Sequence, residues 1–232
     1  MPALEHSKLF EDVKVGTLID VGANRGQFSL LARHRFPNAQ IHAFEPLEPE
    51  GRVLRSVVAD PLTLYPLALG TRASEATFYV TSKRDSSSLL MPGAYQEAAT
   101  GVTLASSINV PVARLTDILD VAALPRPILM KIDVQGGELD VLRGAADALP
   151  LIDSIYTEVS FVTLYERQPL ATEITTFLDG HGFALRGVYN HYLAAGIGPT
   201  QADFLYVRSG ASLQRADASA RDHAADMPRE PA

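Results

Sequence analysis

Short apolar runs alternate along the chain with stretches whose apolar positions recur every three or four residues, the pattern of repeated βα units around a mostly parallel sheet. "TLIDVG" predicts a buried strand, and "RGQFSLLARHRF" a helix with Phe28, Leu31, Ala32 and Phe36 on one face, ended by Pro37. "QIHAFEP" predicts a second strand closed by Pro46, "EGRVLRSVVAD" a second helix, and "LTLYPLALG" a third strand running out at Gly70. The alternation then breaks. "ATFYVT" reads as an extra strand, and the long polar stretch over 82–107, rich in small residues, is expected to be a lid. After "INVPVARL" and the short helix "TDILDVAAL" the pattern resumes with the strand "PILMKIDV" and the helix "GGELDVLRGAADAL". "DSIYTEVSF" supplies a fifth strand and "LATEITTFLDGHG" a helix stopped at Gly180 or Gly182. "FALRGVY" and "ADFLYV" then close the sheet as a hairpin around "NHYLAAGIGPTQ", with the last strand antiparallel because no helix precedes it. One domain over 1–208 is expected, followed by a small, polar, disordered tail over 209–232.

Composition narrows the class. The 232 residues are 47% hydrophobic and 20% charged, which suits a self-sufficient globular domain. With no cysteine there is no disulfide or thiolate metal site, so any metal must be held by oxygen or His ligands, and a reducing, cytoplasmic setting is expected. No stretch has the profile of a signal peptide or the length of a membrane span. A net charge of −7 sets an unfavourable field for a polyanion. The most basic patch, "ARHRF", reads as a solvated helix face, so no nucleic-acid partner is expected.

The candidate chemistry starts at "TLIDVGANRG". A strand that feeds a glycine loop opening a helix is a nucleotide-type site, since the helix N-terminus offers free N–H groups and a positive dipole end. Asn24 stands where the dinucleotide fingerprint carries its middle glycine, which argues against a pyrophosphate, and no Gly-Lys-Ser/Thr follows to bind a triphosphate. S-adenosylmethionine carries no phosphate and suits a loop with a polar side chain. In this reading Asp20 helps position its ammonium end, directly or through water, and Gly22 and Gly26 admit the methionine portion. Glu45, ending the second strand about 20 residues after the loop, stands where an acid accepts the ribose hydroxyls. Either acid taken alone could equally cap a helix.

On "IDVGANRGQFS", "HAFEPLE", "YPLALG", "SSSL", "LMKIDVQGGELDVLRGA", "IYTEVSF" and "ADFLYVR", the chain resembles the FkbM-type family of class I S-adenosylmethionine-dependent methyltransferases over roughly residues 17–208. The resemblance implies a Rossmann-like α/β fold with a seven-stranded, mostly parallel sheet, the last strand antiparallel and helices on both faces. It implies cofactor contacts from Asp20, Gly22, Asn24, Gly26, Phe28, Glu45, Pro46, Ala68 and Asp133. It also implies O-methylation of a small acceptor, a saccharide or glycosylated metabolite, and is compatible with a homodimer. N- or carboxyl-methylation and a non-catalytic cofactor-binding module are the alternatives.

Ligands of open α/β sheets bind beyond the carboxyl ends of the strands, so Asp133, Glu158 and the segment after Tyr189 are expected to face the acceptor. Asp133 and Glu158 are two hard oxygen ligands and could hold Mg²⁺ to acidify a hydroxyl. The metal-free rival has Asp133 or His191 taking the proton while Glu158 holds the acceptor.

Overall fold

The computed structural model describes residue 1 and residues 3–210. Its elements, in chain order, are α1 (Leu9–Asp12), β1 (Thr17–Val21), α2 (Gln27–Arg35), β2 (Gln40–Phe44), α3 (Glu48–Val57), β3 (Leu62–Tyr65), β4 (Ala68–Leu69), β5 (Ser74–Thr81), α4 (Ala94–Thr100), β6 (Leu104–Ala113), α5 (Leu115–Ile118), β7 (Ile128–Ile132), α6 (Glu138–Gly144), β8 (Ser154–Ser160), α7 (Ala171–Gly180), β9 (Phe183–Ala194) and β10 (Gly198–Arg208). The main sheet has seven strands in the order β3-β2-β1-β7-β8-β10-β9. β10 alone runs against its neighbours, as the missing crossover helix requires. This is the mostly parallel sheet with an antiparallel last strand that the strand pattern predicts, and the seven-stranded arrangement that the resemblance implies.

Strand alternation sorts the core into two layers. Ile19 and Val21 of β1, with Ile128, Met130 and Ile132 of β7, pack under α5, α6 and α7. Leu18 and Leu129, one position out of phase, pack with α1, α2 and α3. The same parity, with Asp20 opposite Lys131 in the β1–β7 register, puts both side chains on the α2 face.

Several boundaries differ from the expected ones. The third strand is two strands, because Pro66 cannot donate to a ladder: β3 stays in the main sheet, and β4 leaves to join a separate sheet of order β4-β6-β5. The stretch 82–107 is not one continuous loop. It contains a 3-10 turn at Arg84–Ser86 and α4, and its last residues are the start of β6, where Ser107 pairs Tyr79 and Ser106 pairs Val80. The closing hairpin is tighter than expected, since β9 continues to Ala194 and β10 begins at Gly198. Apart from Ser209 and Gly210, the expected tail lies outside the described residues.

The "ARHRF" patch is not one solvated face. His34 is exposed, but Arg33 is buried and its guanidinium donates to the carbonyls of Pro37 at 2.7 Å, Ala39 at 2.8 Å, Pro61 at 2.8 Å and Ala59 at 3.1 Å, tying α2 to the two loops beneath it. No helix of the described residues is long and apolar enough to cross a membrane.

Candidate active site

Above the carboxyl ends of β1, β2, β7 and β8 lies one cleft of about 640 Å³. Its cofactor-type end is built by the β1–α2 loop. Gly22 has a left-handed φ of +74°, and a Cβ there would run into the carbonyl oxygen of Asp133, so only glycine lets the β1 and β7 loops touch. Asn24 is also left-handed, at φ 49°, a conformation asparagine tolerates, and its backbone N–H donates to Glu45 Oε2 at 2.8 Å. Leu47 N–H donates to Oε1 at 2.8 Å, so the Glu45 carboxylate is held at both oxygens while each keeps a further lone pair. Burial pushes Glu45 up to about 7 against the pull of these two bonds.

Gly22, Asn24, Phe28, Glu45, Pro46, Ala68 and Asp133 line the cleft; Gly26 and Asp20 are not among its lining residues. Gly26 caps α2 in the left-handed region and faces α3, where a Cβ would meet Leu54 at 2.9 Å, so its role is packing. Asp20 is fully buried. Its Oδ2 accepts from Ser29 Oγ at 2.6 Å and its Oδ1 lies 3.5 Å from Lys131 Nζ, so its partners are internal rather than a ligand ammonium.

Lys131, hidden in an otherwise apolar strand, is the residue that pattern reading missed. Its ammonium donates to the Gly22 carbonyl at 3.0 Å and lies 3.6 Å from Asp133 Oδ2. Burial pulls Lys131 down, but the carboxylates of Asp133, Asp20 and Asp203 outweigh it and leave its pKa above the ordinary value.

The acceptor-type end centres on Gln135, also left-handed at φ 59°. Its Nε2 donates to Asp133 Oδ1 at 2.7 Å and to Glu158 Oε2 at 2.9 Å, and Gln201 Nε2 donates to the same Glu158 oxygen. Burial, then the negative charges of Asp133, Asp203 and Glu138, push the Glu158 carboxyl well above the carboxylate range. Glu138 supports the loop from behind, with Oε1 accepting from Val134 N–H at 3.2 Å and Gly136 N–H at 3.0 Å.

Asp133 and Glu158 thus come together as expected, but not as metal ligands. An amide N–H₂ group stands between them where a cation would have to sit, and Lys131 neutralises the far side of Asp133. Among the described residues no group of three or more His, Cys, Asp or Glu side chains could hold an ion. The donor set does not fit Mg²⁺, which needs several converging oxygens.

His191 is also corrected. It lies inside β9 rather than in a loop, and alternation turns it outward: it is exposed and does not line the cleft, whereas its neighbour Tyr192 does. His181 caps α7, its Nδ1 2.7 Å from the Phe177 carbonyl.

The serine-rich segment is pinned over the site. Ser88 Oγ donates to the Gln135 carbonyl at 2.8 Å, and the Tyr165 hydroxyl lies 2.9 Å from both the Ser86 carbonyl and Gln135 Oε1. His6, from a 3-10 turn at Leu4–His6, also lines the cleft, a placement with no local signal in the sequence.

Residues 20–185 match the family described as the Methyltransferase FkbM domain. The chain is 29% identical over 197 residues to the 31-O-demethyl-FK506 methyltransferase FkbM of Streptomyces tacrolimicus, covering 72% of each chain. It is 26% identical over 177 residues to the hexuronic acid methyltransferase AglP of Haloferax volcanii, covering 72% of this chain and 69% of that one. Its fold is shared with a crystal structure from Listeria monocytogenes assigned as an S-adenosylmethionine dependent methyltransferase, at a TM-score of 0.51 and 9% identity over 89% of this chain and 99% of that chain.

Proposed function

The chain belongs to the FkbM methyltransferase family, and on that premise we propose that it transfers a methyl group from S-adenosylmethionine to a hydroxyl of a small saccharide or glycosylated acceptor. One observation carries this reading: the loop and acid suited to a nucleoside and the polar Asp133–Gln135–Glu158–Gln201 cluster open onto the same cleft. At about 640 Å³ the cleft falls within the size range of small-molecule sites.

The residues present fit the cofactor. Glu45, already oriented by Asn24 and Leu47, would take the ribose hydroxyls, and the Gly22–Asn24 turn leaves backbone room for the amino-acid end. The bound cofactor would supply an electrophilic methyl group on a sulfonium. Lys131 holds the Gly22 carbonyl and Asp133 in place, so the donor loop and the acceptor carboxylate are braced by one ammonium. Glu158, whose raised pKa favours the protonated acid, can donate to or accept from a sugar hydroxyl, while Gln201 and Gln135 fix its plane. Two relatives are named for small-molecule acceptors, a hexuronic acid for AglP and 31-O-demethyl-FK506 for FkbM, which supports a small molecule as the acceptor.

The test is methyl transfer from labelled S-adenosylmethionine to a panel of methyl glycosides and methyl glycuronides, with products located by mass spectrometry. Labelled glycosides support the reading. Calorimetric binding of S-adenosylhomocysteine with no transfer to any hydroxyl, but transfer to amines or carboxylates, would overturn the acceptor chemistry.

A further inference from the structure

Tyr165, in the loop between β8 and α7, is fully buried and does not itself line the cleft, but the three residues its hydroxyl touches all do. Gln96 Nε2, from α4, donates to the hydroxyl oxygen at 3.0 Å. The single hydroxyl proton lies between two acceptors at 2.9 Å, the Ser86 carbonyl of the serine-rich segment and Gln135 Oε1 of the loop between β7 and α6. Gln96 is buried, its Oε1 has no partner, and the bond to Tyr165 is the one its amide makes among the described residues.

The chain around Tyr165 leaves that hydroxyl little freedom. Gln168 Oε1 accepts from the Leu164 N–H at 2.8 Å and the Tyr165 N–H at 3.1 Å, while its Nε2 donates to Ser160 Oγ at 2.7 Å, which ties the turn to the end of β8. Pro92 and Tyr165 form an antiparallel bridge, with the Gly93 N–H donating to the Leu164 carbonyl at 2.7 Å and the Glu166 N–H to the Met91 carbonyl at 2.9 Å. Gly136 has φ +102°, and a Cβ there would meet the side chains of Leu90, Gln168 and Tyr165 at 3.2 to 3.3 Å, so a bare backbone lets the Gln135 loop lie against this turn.

We propose that Tyr165 is a positioning residue whose hydroxyl clamps the Gln135 amide between Asp133 and Glu158, joining the segment that covers the cleft to the two carboxyls beneath it. This rests on the acceptor reading above. The amide is held from both sides: Oε1 by the Tyr165 proton, Nε2 by Asp133 Oδ1 at 2.7 Å and Glu158 Oε2 at 2.9 Å. Tyr165 is the one donor to Oε1 among the described residues, so without its hydroxyl the amide is anchored at one end and can swing out of the gap. Two carboxyls within 3 Å of one nitrogen would then face each other with no donor between them, and such a pair shares a proton. With the amide in place the pair stays apart. Gln135 and Gln201 both donate to Glu158 Oε2, which leaves Oε1 as the oxygen open to an acceptor.

Two measurements on the full chain test the clamp. Nitrogen-15 NMR of glutamine side chains, with S-adenosylhomocysteine bound, should show the Gln135 N–H₂ pair, identified by its loss in Gln135→Leu, exchanging with water at least about tenfold more slowly than exposed glutamine amides. Tyr165→Phe, which keeps the ring, should abolish that protection. On whichever methyl glycoside or glycuronide the wild type methylates, Tyr165→Phe should lower kcat about tenfold, the worth of one hydrogen bond, with S-adenosylhomocysteine affinity unchanged. In a Gln135→Leu background the same replacement should cost less than about twofold, because the hydroxyl acts through that amide. An unprotected Gln135 amide in the wild type overturns the proposal whether or not the variant folds. An equal loss of kcat from Tyr165→Phe with and without Gln135 overturns it too, since a purely structural tyrosine would behave so. If the wild type methylates no hydroxyl on the panel, the acceptor reading fails by itself, and the amide exchange still decides whether Tyr165 holds Gln135.

Discussion

Protonation of Glu45 should govern cofactor affinity near neutral pH. Burial places its pKa at about 7, raised from 4.5, and ribose hydroxyls donate hydrogen bonds, so the ligand prefers the ionised carboxylate. The ionised fraction is then about 0.1 at pH 6 and about 0.9 at pH 8, so affinity should rise about tenfold between those pH values, or about 1.4 kcal/mol. The ligand-free protein shows the opposite sign. Because the folded pKa lies above the unfolded one, the contribution of this group to stability is full below about 4.5 and is lost as pH rises through about 7. The assay is calorimetric titration with S-adenosylhomocysteine at about pH 6, 7 and 8 in buffers of different ionisation enthalpy, which also counts protons; close to one should be released per ligand at the acidic end. Glu45→Gln should flatten the dependence, and Glu45→Ala should weaken binding by roughly 1.5–3 kcal/mol through loss of a charge-assisted pair. Wild-type affinity that is flat across this range, or an equal slope in Glu45→Gln, would refute the reasoning.

Ser29→Ala removes the 2.6 Å donor to the buried Asp20 carboxylate and should cost about 2 kcal/mol, read as a lower urea midpoint at unchanged m-value; a shift worth less than about 0.5 kcal/mol would mean that Lys131 alone suffices. Rigorous chelation should leave turnover intact, because the Gln135 amide stands where a cation would bridge Asp133 and Glu158; turnover lost to EDTA and restored by Mg²⁺ would contradict that geometry. His191→Ala should change kcat/KM by less than about twofold, since the side chain is exposed on the far face of β9, and a larger loss would place it at the acceptor after all.

The cofactor-type end was legible because its signals are local. The change of period at Gly22–Gly26 marks a strand, a turn and a helix within one short stretch, and Glu45 follows at the end of the next strand. The acceptor-type end was legible only in outline. Asp133 and Glu158 could be placed at strand ends, but the reversal of Gln135 into the left-handed region, which sends its amide back between them, has no periodic signature. His191 was misplaced by the glycines and proline of "NHYLAAGIGPTQ", which read as loop while the backbone continues as strand. Lys131 becomes meaningful only when register sets it opposite Asp20. His6 meets partners 150 and 184 positions away in the chain, a contact that no local pattern encodes.

The contact between Gly22 and the Asp133 carbonyl bears on how such an enzyme could change its customers. With no side chain between the two loops, the distance from the β1–α2 loop to Asp133 is set by main chain against main chain, and no substitution at Gly22 can widen it gradually. Diversification, natural or by directed evolution, is therefore channelled elsewhere, to the serine-rich segment and to the β9–β10 hairpin, where Tyr192 and Gln201 reach the cleft beside register shifts in the ladder. A library that randomises those two elements and leaves the Gly22–Asp133 junction alone should recover altered acceptor range among folded, cofactor-binding variants. One that randomises the junction should recover mostly variants that no longer bind the methyl donor.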